Sequence, residues 1–444
     1  MTESLGSRSS FLHPARSSVK APPRARGLLA ALAVVALPFG TAGMMLVLAL
    51  VPLWFNAVRS VRFGRSLQLL LLACVPAGAA LAALNPAGGT FDFDTAVANA
   101  LLPVRAAIIF SVLVWARSIL GVRLIVLIYG CASLAGMLLE HLPDLSATTI
   151  KYFYSWPLAL VILAVLHGRN SRIGILATSA AIAILATVGE YRSLLAFVTV
   201  AAALCLLHPV LHRWLLPRDP HGRVKLWPVA IAVSGVGIAV WLVYGLAEQV
   251  LLSGALGTSI QLKTLEQIQN YGSLIGGGRT EAPITLGLIT DNPLGYGPGF
   301  IPTSHEYSAG AYDAVMRDDS AYLNAYVFGG HIRLHSFWGD LWVNFGIVGL
   351  ITVAAMLALL ASGLLASLRS PMPDMMPMVL IVWGTWNVIF SPIYSNLMDF
   401  ALIAAAVGSS VAVARKPLPG AGRAETLSDR RWAQAGASSL SASR

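Results

Sequence analysis

Residues 335–366 read HSFWGDLWVNFGIVGLITVAAMLALLASGLLA, with Asp340 as the one formally charged residue in the stretch. A helix needs roughly 20 apolar residues to cross the hydrocarbon of a bilayer, so this stretch predicts a membrane-crossing helix. Working outward, further apolar runs fall near 27–55, 67–85, 97–116, 121–140, 150–167, 172–188, 190–207, 226–250, 374–391 and 394–414. The first carries Pro38-Phe39-Gly40 in its middle, a helix-breaking cluster, and reads as two short helices in a hairpin. The fold class that follows is all-α, a polytopic membrane protein with about twelve transmembrane helices.

Composition agrees. Of 444 residues, 57% are hydrophobic and 11% charged, with mean hydropathy +0.72, where a soluble domain is nearer about a quarter charged. This excludes a soluble enzyme, a disordered chain and a fibrous one. Cys74, Cys131 and Cys205 all lie in apolar runs, which excludes a disulfide scaffold and a thiolate zinc site. The net charge of +10 has a topological origin. With both termini cytoplasmic, six basic residues lie outside (Lys151, Arg192, Lys263, Arg279, Arg317 and Arg333), Arg105 lies within a span, and the remaining 23 of 30 lie inside. That asymmetry is what the positive-inside rule expects, and it calls for no nucleic-acid partner.

Residues 1–26 are rich in Ser, Arg and Pro and read as a disordered cytoplasmic tail, with no signal-peptide cleavage pattern. Spans one to nine then occupy 27–250, a large extracytoplasmic loop 251–334, spans ten to twelve 335–414, and a second cytoplasmic tail 415–444. No internal repeat or coiled coil is evident. The loop is much longer than any other connection, and loops of that length are functional or disordered. Its tyrosines and apolar stretches predict a folded loop, with short helices at 261–273, 281–290 and 318–330.

Six residues stand out chemically. Arg192, in Gly189-Glu190-Tyr191-Arg192-Ser193, occupies an outer turn where arginine is disfavoured. It reads as a partner of Glu190, as a side chain snorkelling to lipid phosphate, or as a clamp for an anion. Arg279 follows Gly276-Gly277-Gly278. Glycines let backbone approach an anion, and a guanidinium offers phosphate a bidentate fork, although a glycine linker that ends in Arg gives the same string. His335 stands at the start of the tenth span, after Arg333. It is either an interfacial histidine or a general base. Arg105, Glu190 and Arg333 form a second tier. The four-residue spacing of His331 and His335 suits zinc on a helix, but no third ligand accompanies it. Asp92-Phe93-Asp94 has the form of a metal-binding carboxylate pair and equally that of an ordinary polar turn. Phe337, Trp338, Trp342 and Phe345 read as an interfacial aromatic belt or as the wall of a lipid groove.

Taken in order, these motifs resemble the O-antigen ligase and polymerase superfamily of membrane glycosyltransferases. Tyr191-Arg192-Ser193-Leu194-Leu195 is similar to the family's outer arginine segment, and Arg279, ahead of Pro293, to its loop arginine. Asn292-Pro293-Leu294-Gly295-Tyr296-Gly297-Pro298-Gly299 is similar to its glycine turn, and His335 through Gly349 to its histidine segment. The chain departs at Glu190, Ser336 and Asn344, where the family has a small residue, Asn and Glu. The motif-bearing part covers 190–350; elsewhere the agreement is in hydropathy.

The resemblance implies a glycan donor linked to undecaprenyl diphosphate, acting at the outer face of the bacterial cytoplasmic membrane. The acceptor is a lipid-linked glycan or another lipid. Arg192 and Arg279 would stabilise the departing diphosphate in place of a metal. His335 would take the acceptor proton, with inversion at the anomeric carbon and no cofactor. Polymerase and ligase both fit. Two other readings stay open: a metal-dependent transferase using polyprenyl monophosphate sugars through Asp92 and Asp94, and a transporter or flippase.

Overall fold

The computed structural model describes residues 23–84, 91–141, 146–169, 171–215, 245, 248–255, 257–271, 281–315 and 327–409. About 82% of these residues are helical and none lies in a strand. The helices are α1 (Pro23–Ala36), α2 (Gly40–Ala49), α3 (Val51–Trp54), α4 (Gly64–Leu84), α5 (Phe93–Leu120), α6 (Val122–His141), α7 (Ser155–Leu166), α8 (Arg172–Val188) and α9 (Arg192–Leu215). The loop contributes α10 (Thr258–Tyr271), α11 (Glu281–Asp291) and α12 (Ser304–Val315), and the chain continues through α13 (Phe337–Arg369), α14 (Met375–Phe390) and α15 (Ile393–Val407).

Helix starts follow capping chemistry. The Asp92, Ser171, Ser336 and Asp374 side chains accept N–H bonds from the first turns of α5, α8, α13 and α14, which supplies partners to otherwise orphaned donors. α12 opens on a capping box, in which Glu306 Oε2 accepts from the Thr303 N–H at 2.7 Å and the His305 N–H donates to Thr303 Oγ1 at 3.2 Å. Helix ends are served from neighbouring helices. Arg117 donates to Ala405 O and Gly408 O at 2.8 and 2.7 Å, Arg123 Nε to Ala164 O at 3.0 Å, and His212 Nδ1 lies 3.1 Å from Leu368 O. Arg117 and Arg123 thus serve the C-terminal carbonyls of α15 and α7, where cations complement the helix dipole, and His212 meets a last-turn carbonyl of α13.

By length and composition, α4, α5, α6, α9 and α13 can each cross a membrane, and α2 with α3 makes a sixth if that pair, bent by 68°, is one span. The helices at Ile150–Leu166, Arg172–Val188, Met375–Phe390 and Ile393–Val407 are apolar but shorter. The expected count of about twelve spans therefore rests on these shorter helices and on 226–250, most of which lies outside the described residues. The expected hairpin in 27–55 is present as α1 packed on α2. The further bend at Leu50, where Pro52 begins the next helix, was not anticipated.

The loop helices α10 and α11 match expectation within a few residues. The third differs: a helix occupies 304–315, while 327–330 is not α-helical and 316–326 lies outside the described residues. Its signal was Thr303-x-x-Glu306, the capping box itself.

The central departure from the sequence reading is inside α13. Gly346 (φ 59°, ψ −138°) interrupts the helix, leaving a first piece 337–345 and a second piece 347–369. The second piece alone meets the length needed to span. In an unbroken helix the Val343 carbonyl would accept from residue 347. Here it accepts two N–H bonds, from Tyr296 and Gly297, both at 2.9 Å. The Asn292–Gly299 turn thus fills the gap, and Trp342 Nε1 donates to Pro293 O at 3.1 Å. Gly297 has φ +94°, and a Cβ there would stand 2.8 Å from the Ala82 nitrogen at the end of α4. The next strand-like contact, Asp92 N to Gly299 O at 2.9 Å, ties the turn to the start of α5. Phe337, Trp342 and Phe345 are fully buried. They are core residues, with Phe337 edge-on to Phe400 at 5.8 Å, and so form neither an interfacial belt nor a lipid-facing wall.

Gly297→Ala is expected to lower the melting temperature of the detergent-solubilised protein, with about 1–3 kcal/mol from backbone strain alone. Gly136→Ala, whose added methyl meets nothing nearer than the Phe39 ring at 4.0 Å, should leave melting unchanged or raise it. Equal melting of the two variants by scanning fluorimetry would remove the turn from its structural role.

Candidate functional site

At one end of the bundle the start of α13 meets the start of α5, through the Asn99 Nδ2 bond to Asn344 Oδ1 at 3.2 Å, and the start of α15, through Asp340. His335 stands just ahead of α13. Arg192 opens α9, where its neighbour Tyr191 meets Trp383 of α14, the helix that leads into α15.

Asp340 organises this end. It is fully buried. Its Oδ1 accepts from the Leu334 N–H at 2.7 Å and its Oδ2 from the Ile393 N–H at 3.1 Å. One carboxylate therefore holds the segment leading into α13 and caps α15, whose own N-cap is Pro392 and supplies no side-chain bond. Asn344 Nδ2 donates to the Asp340 backbone carbonyl at 2.8 Å.

His335 is half-buried and lies just ahead of the helix, immediately before the N-cap Ser336, with φ 48°. A non-glycine residue in that region is strained, and such strain gathers at functional sites. α13 thus begins at Phe337, and 331–336 is not helical, so His331 and His335 do not share a helix face as a zinc pair would. Glu190 has the same backbone feature, φ 49°. It is exposed and its carboxylate makes no ion pair among the described residues, so it is not the salt-bridge partner considered for Arg192. Arg192 is half-buried at the first position of α9, and its Nη1 donates to the buried Thr264 Oγ1 of α10 at 3.4 Å. Its neighbour Tyr191 is edge-on to Trp383 at 6.2 Å.

Arg333 is exposed, with Nε donating to His331 Nε2 at 2.6 Å and its guanidinium 5.9 Å from the Tyr394 ring centroid. Arg105 is exposed on α5, nearly two turns deeper than Asn99, with Tyr129 and Asp399 nearby. It does not join the outer group. Arg279 lies outside the described residues. Asp92 is engaged in capping: Oδ1 accepts from the Asp94 N–H at 3.1 Å and Oδ2 from the Thr95 hydroxyl. The Thr95 bond holds its carboxyl below the usual carboxylate range, with a smaller contribution from nearby His331. Sequence reasoning did not mark Tyr394 or Asn99, met Asn344 only as a departure from the family pattern, and gave Asp340 no role in the site. Its isolation as the sole formal charge in 335–366 was the available signal.

No protein-family profile and no curated protein matches this chain. The site is therefore read from its own chemistry.

Two outcomes test this geometry. Asp340→Asn puts an NH₂ group against one of the two N–H donors, and an unsatisfied buried donor costs about 1–3 kcal/mol. A lower melting temperature than wild type is expected. His331 is held below its usual pKa, first by burial and then by Arg333, against a weaker opposing pull from Asp92. The unfolded chain therefore binds the extra proton first. This contribution to stability is complete above the ordinary histidine value of 6.5 and is lost as pH falls from there through the folded value. The melting temperature of wild type should fall more across that range than that of His331→Gln, and parallel profiles would assign the titration elsewhere.

Proposed function

We propose that the chain is a membrane glycosyltransferase of the O-antigen ligase and polymerase type. It moves a glycan from an undecaprenyl-diphosphate donor to an acceptor hydroxyl at the outer face of the bacterial cytoplasmic membrane. The observation that carries this reading is the grouping of a strained histidine, His335, with arginines at one end of an apolar helical bundle. That end is the one the charge count assigns to the outside. Outside the cytoplasm no nucleotide sugar is at hand, so the donor must arrive on a lipid. Cleaving its anomeric bond releases a diphosphate, and Arg192 and Arg279 would stabilise the negative charge that develops there. His335 takes the proton of the acceptor hydroxyl as that oxygen attacks the anomeric carbon from the opposite side. The carbon inverts, and the diphosphate leaves on its polyprenyl chain. Both tails lie inside in this reading, the shorter apolar helices complete about twelve spans, and the product is a cell-envelope polysaccharide.

The test is a deletion strain complemented with wild type, Arg192→Ala or His335→Ala, followed by sizing of surface and lipid-linked glycans. Each variant should lose activity, with roughly 10²–10⁴-fold expected for the base and a similar order for a charge-stabilising arginine. Accumulated single repeats would mark a polymerase, and full-length polymer retained on its carrier a ligase. Full activity of His335→Ala would remove the base from this mechanism. Glycans unchanged by the deletion itself, with no redundant enzyme, would overturn the reading and favour a transporter. Abolition by EDTA would favour metal-dependent transfer.

A further inference from the structure

Arg333 is exposed, yet it is held at three points, one on its backbone and two on its side chain. Its backbone N–H donates to Val327 O at 2.8 Å, its Nε donates to His331 Nε2 at 2.6 Å, and its guanidinium lies over the Tyr394 ring. His331 is itself fixed, edge-on to Tyr394 at 6.3 Å and 70°. Because His331 Nε2 accepts, the neutral ring carries its proton on Nδ1, and the acceptor role is specific to the neutral form. An arginine alone on a surface spends its side-chain freedom in solvent. This one is backed by an acceptor and an aromatic face, on the side where basic residues are scarce.

The consequence lies in which donors remain. With Nε committed to His331, the Nη1 and Nη2 N–H groups make no hydrogen bond among the described residues. They form the end-on fork of the guanidinium, whose two parallel donors match two oxygens of one phosphate. The fork stands two residues before His335 and over Tyr394, the second residue of α15.

We propose that Arg333 is a phosphate-binding residue, taking two oxygens of one phosphate of a polyprenyl-linked diphosphate end-on through Nη1 and Nη2, with His331 and Tyr394 as positioning residues. The identity of the lipid rests on the glycosyl-transfer reading; the phosphate chemistry does not. The same chemistry belongs to inorganic pyrophosphate and to bulk phospholipid headgroups, and the experiment separates these sources.

Full-length protein in nanodiscs of neutral lipid would be titrated with a short-chain isoprenyl diphosphate, with inorganic pyrophosphate, and with phosphatidylglycerol built into the disc. The variants are Arg333→Ala, Arg333→Lys and His331→Ala. Arg333→Ala should weaken isoprenyl diphosphate binding roughly tenfold to a hundredfold. Arg333→Lys should not restore it, because an ammonium lacks the fork. It keeps the charge, so its loss reports geometry and not a general loss of fold. His331→Ala should give a smaller loss. Pyrophosphate should follow the same order, more weakly. Unchanged isoprenyl diphosphate binding in Arg333→Ala, or full rescue by Arg333→Lys, overturns the proposal. An equal loss of phosphatidylglycerol binding overturns the polyprenyl assignment in favour of a bulk-lipid contact. If binding is lost as expected while glycans in the deletion strain are unchanged, the phosphate site stands and the glycosyl-transfer reading falls. If glycans change but Arg333→Ala binds normally, the reverse holds.

Discussion

The arrangement of this protein hangs on a single carbonyl. Val343 O accepts from both Tyr296 and Gly297, because Gly346 has taken residue 347 out of helical register. An unpaired carbonyl in the apolar interior would be costly. The turn that satisfies it approaches closely enough that a side chain on Gly346 would collide with the Leu294 carbonyl. Break and turn are thus one feature, and each is unfavourable without the other. From the turn, Gly299 reaches the start of α5 and Gly297 the end of α4, so α4, α5 and α13 take their mutual positions there from eight residues of loop.

Asp340 does for α13 and α15 what the turn does for α13 and α4. A buried carboxylate shared between two N–H donors leaves neither oxygen idle, and a side chain that caps a helix other than its own fixes both. The residues with chemical potential, His335 and Arg333, lie in the short non-helical stretch between these two fastenings. They ride on rigid supports without belonging to a helix, which is how precise sites are commonly built on loops.

Much of this was legible in the sequence. Apolar run length identified the helices, and Pro38-Phe39-Gly40 the first turn. His335 stands, as read, at the entry to the long apolar stretch. What was not legible has a common cause. Gly346 and Gly349 sit in a run whose hydropathy is uninterrupted, and hydropathy carries no sign of a break that a distant loop imposes. The glycine turn read as a punctuation mark, whereas its backbone donors are structural partners of α13. The aromatic residues after His335 have a spacing that fits a lipid-facing stripe, but Phe337, Trp342 and Phe345 turn inward because α15 and the loop cover that side. Arg192 and Glu190, two residues apart, invited a pairing that the backbone at Glu190 does not make. The start of α12 is written only in the Thr303–Glu306 capping box, a short polar signal, because α12 itself has little apolar periodicity.

The interrupted α13 also bears on how the chain is made. The turn at 292–300 is synthesised before the apolar stretch that it later engages. As 337–369 leaves the ribosome it is a continuous helix former, and within lipid a continuous helix is the state that satisfies every backbone group. Until 337–369 is made, the two N–H groups of the turn have no Val343 carbonyl to meet. The join between turn and helix therefore closes late in synthesis, after both partners exist.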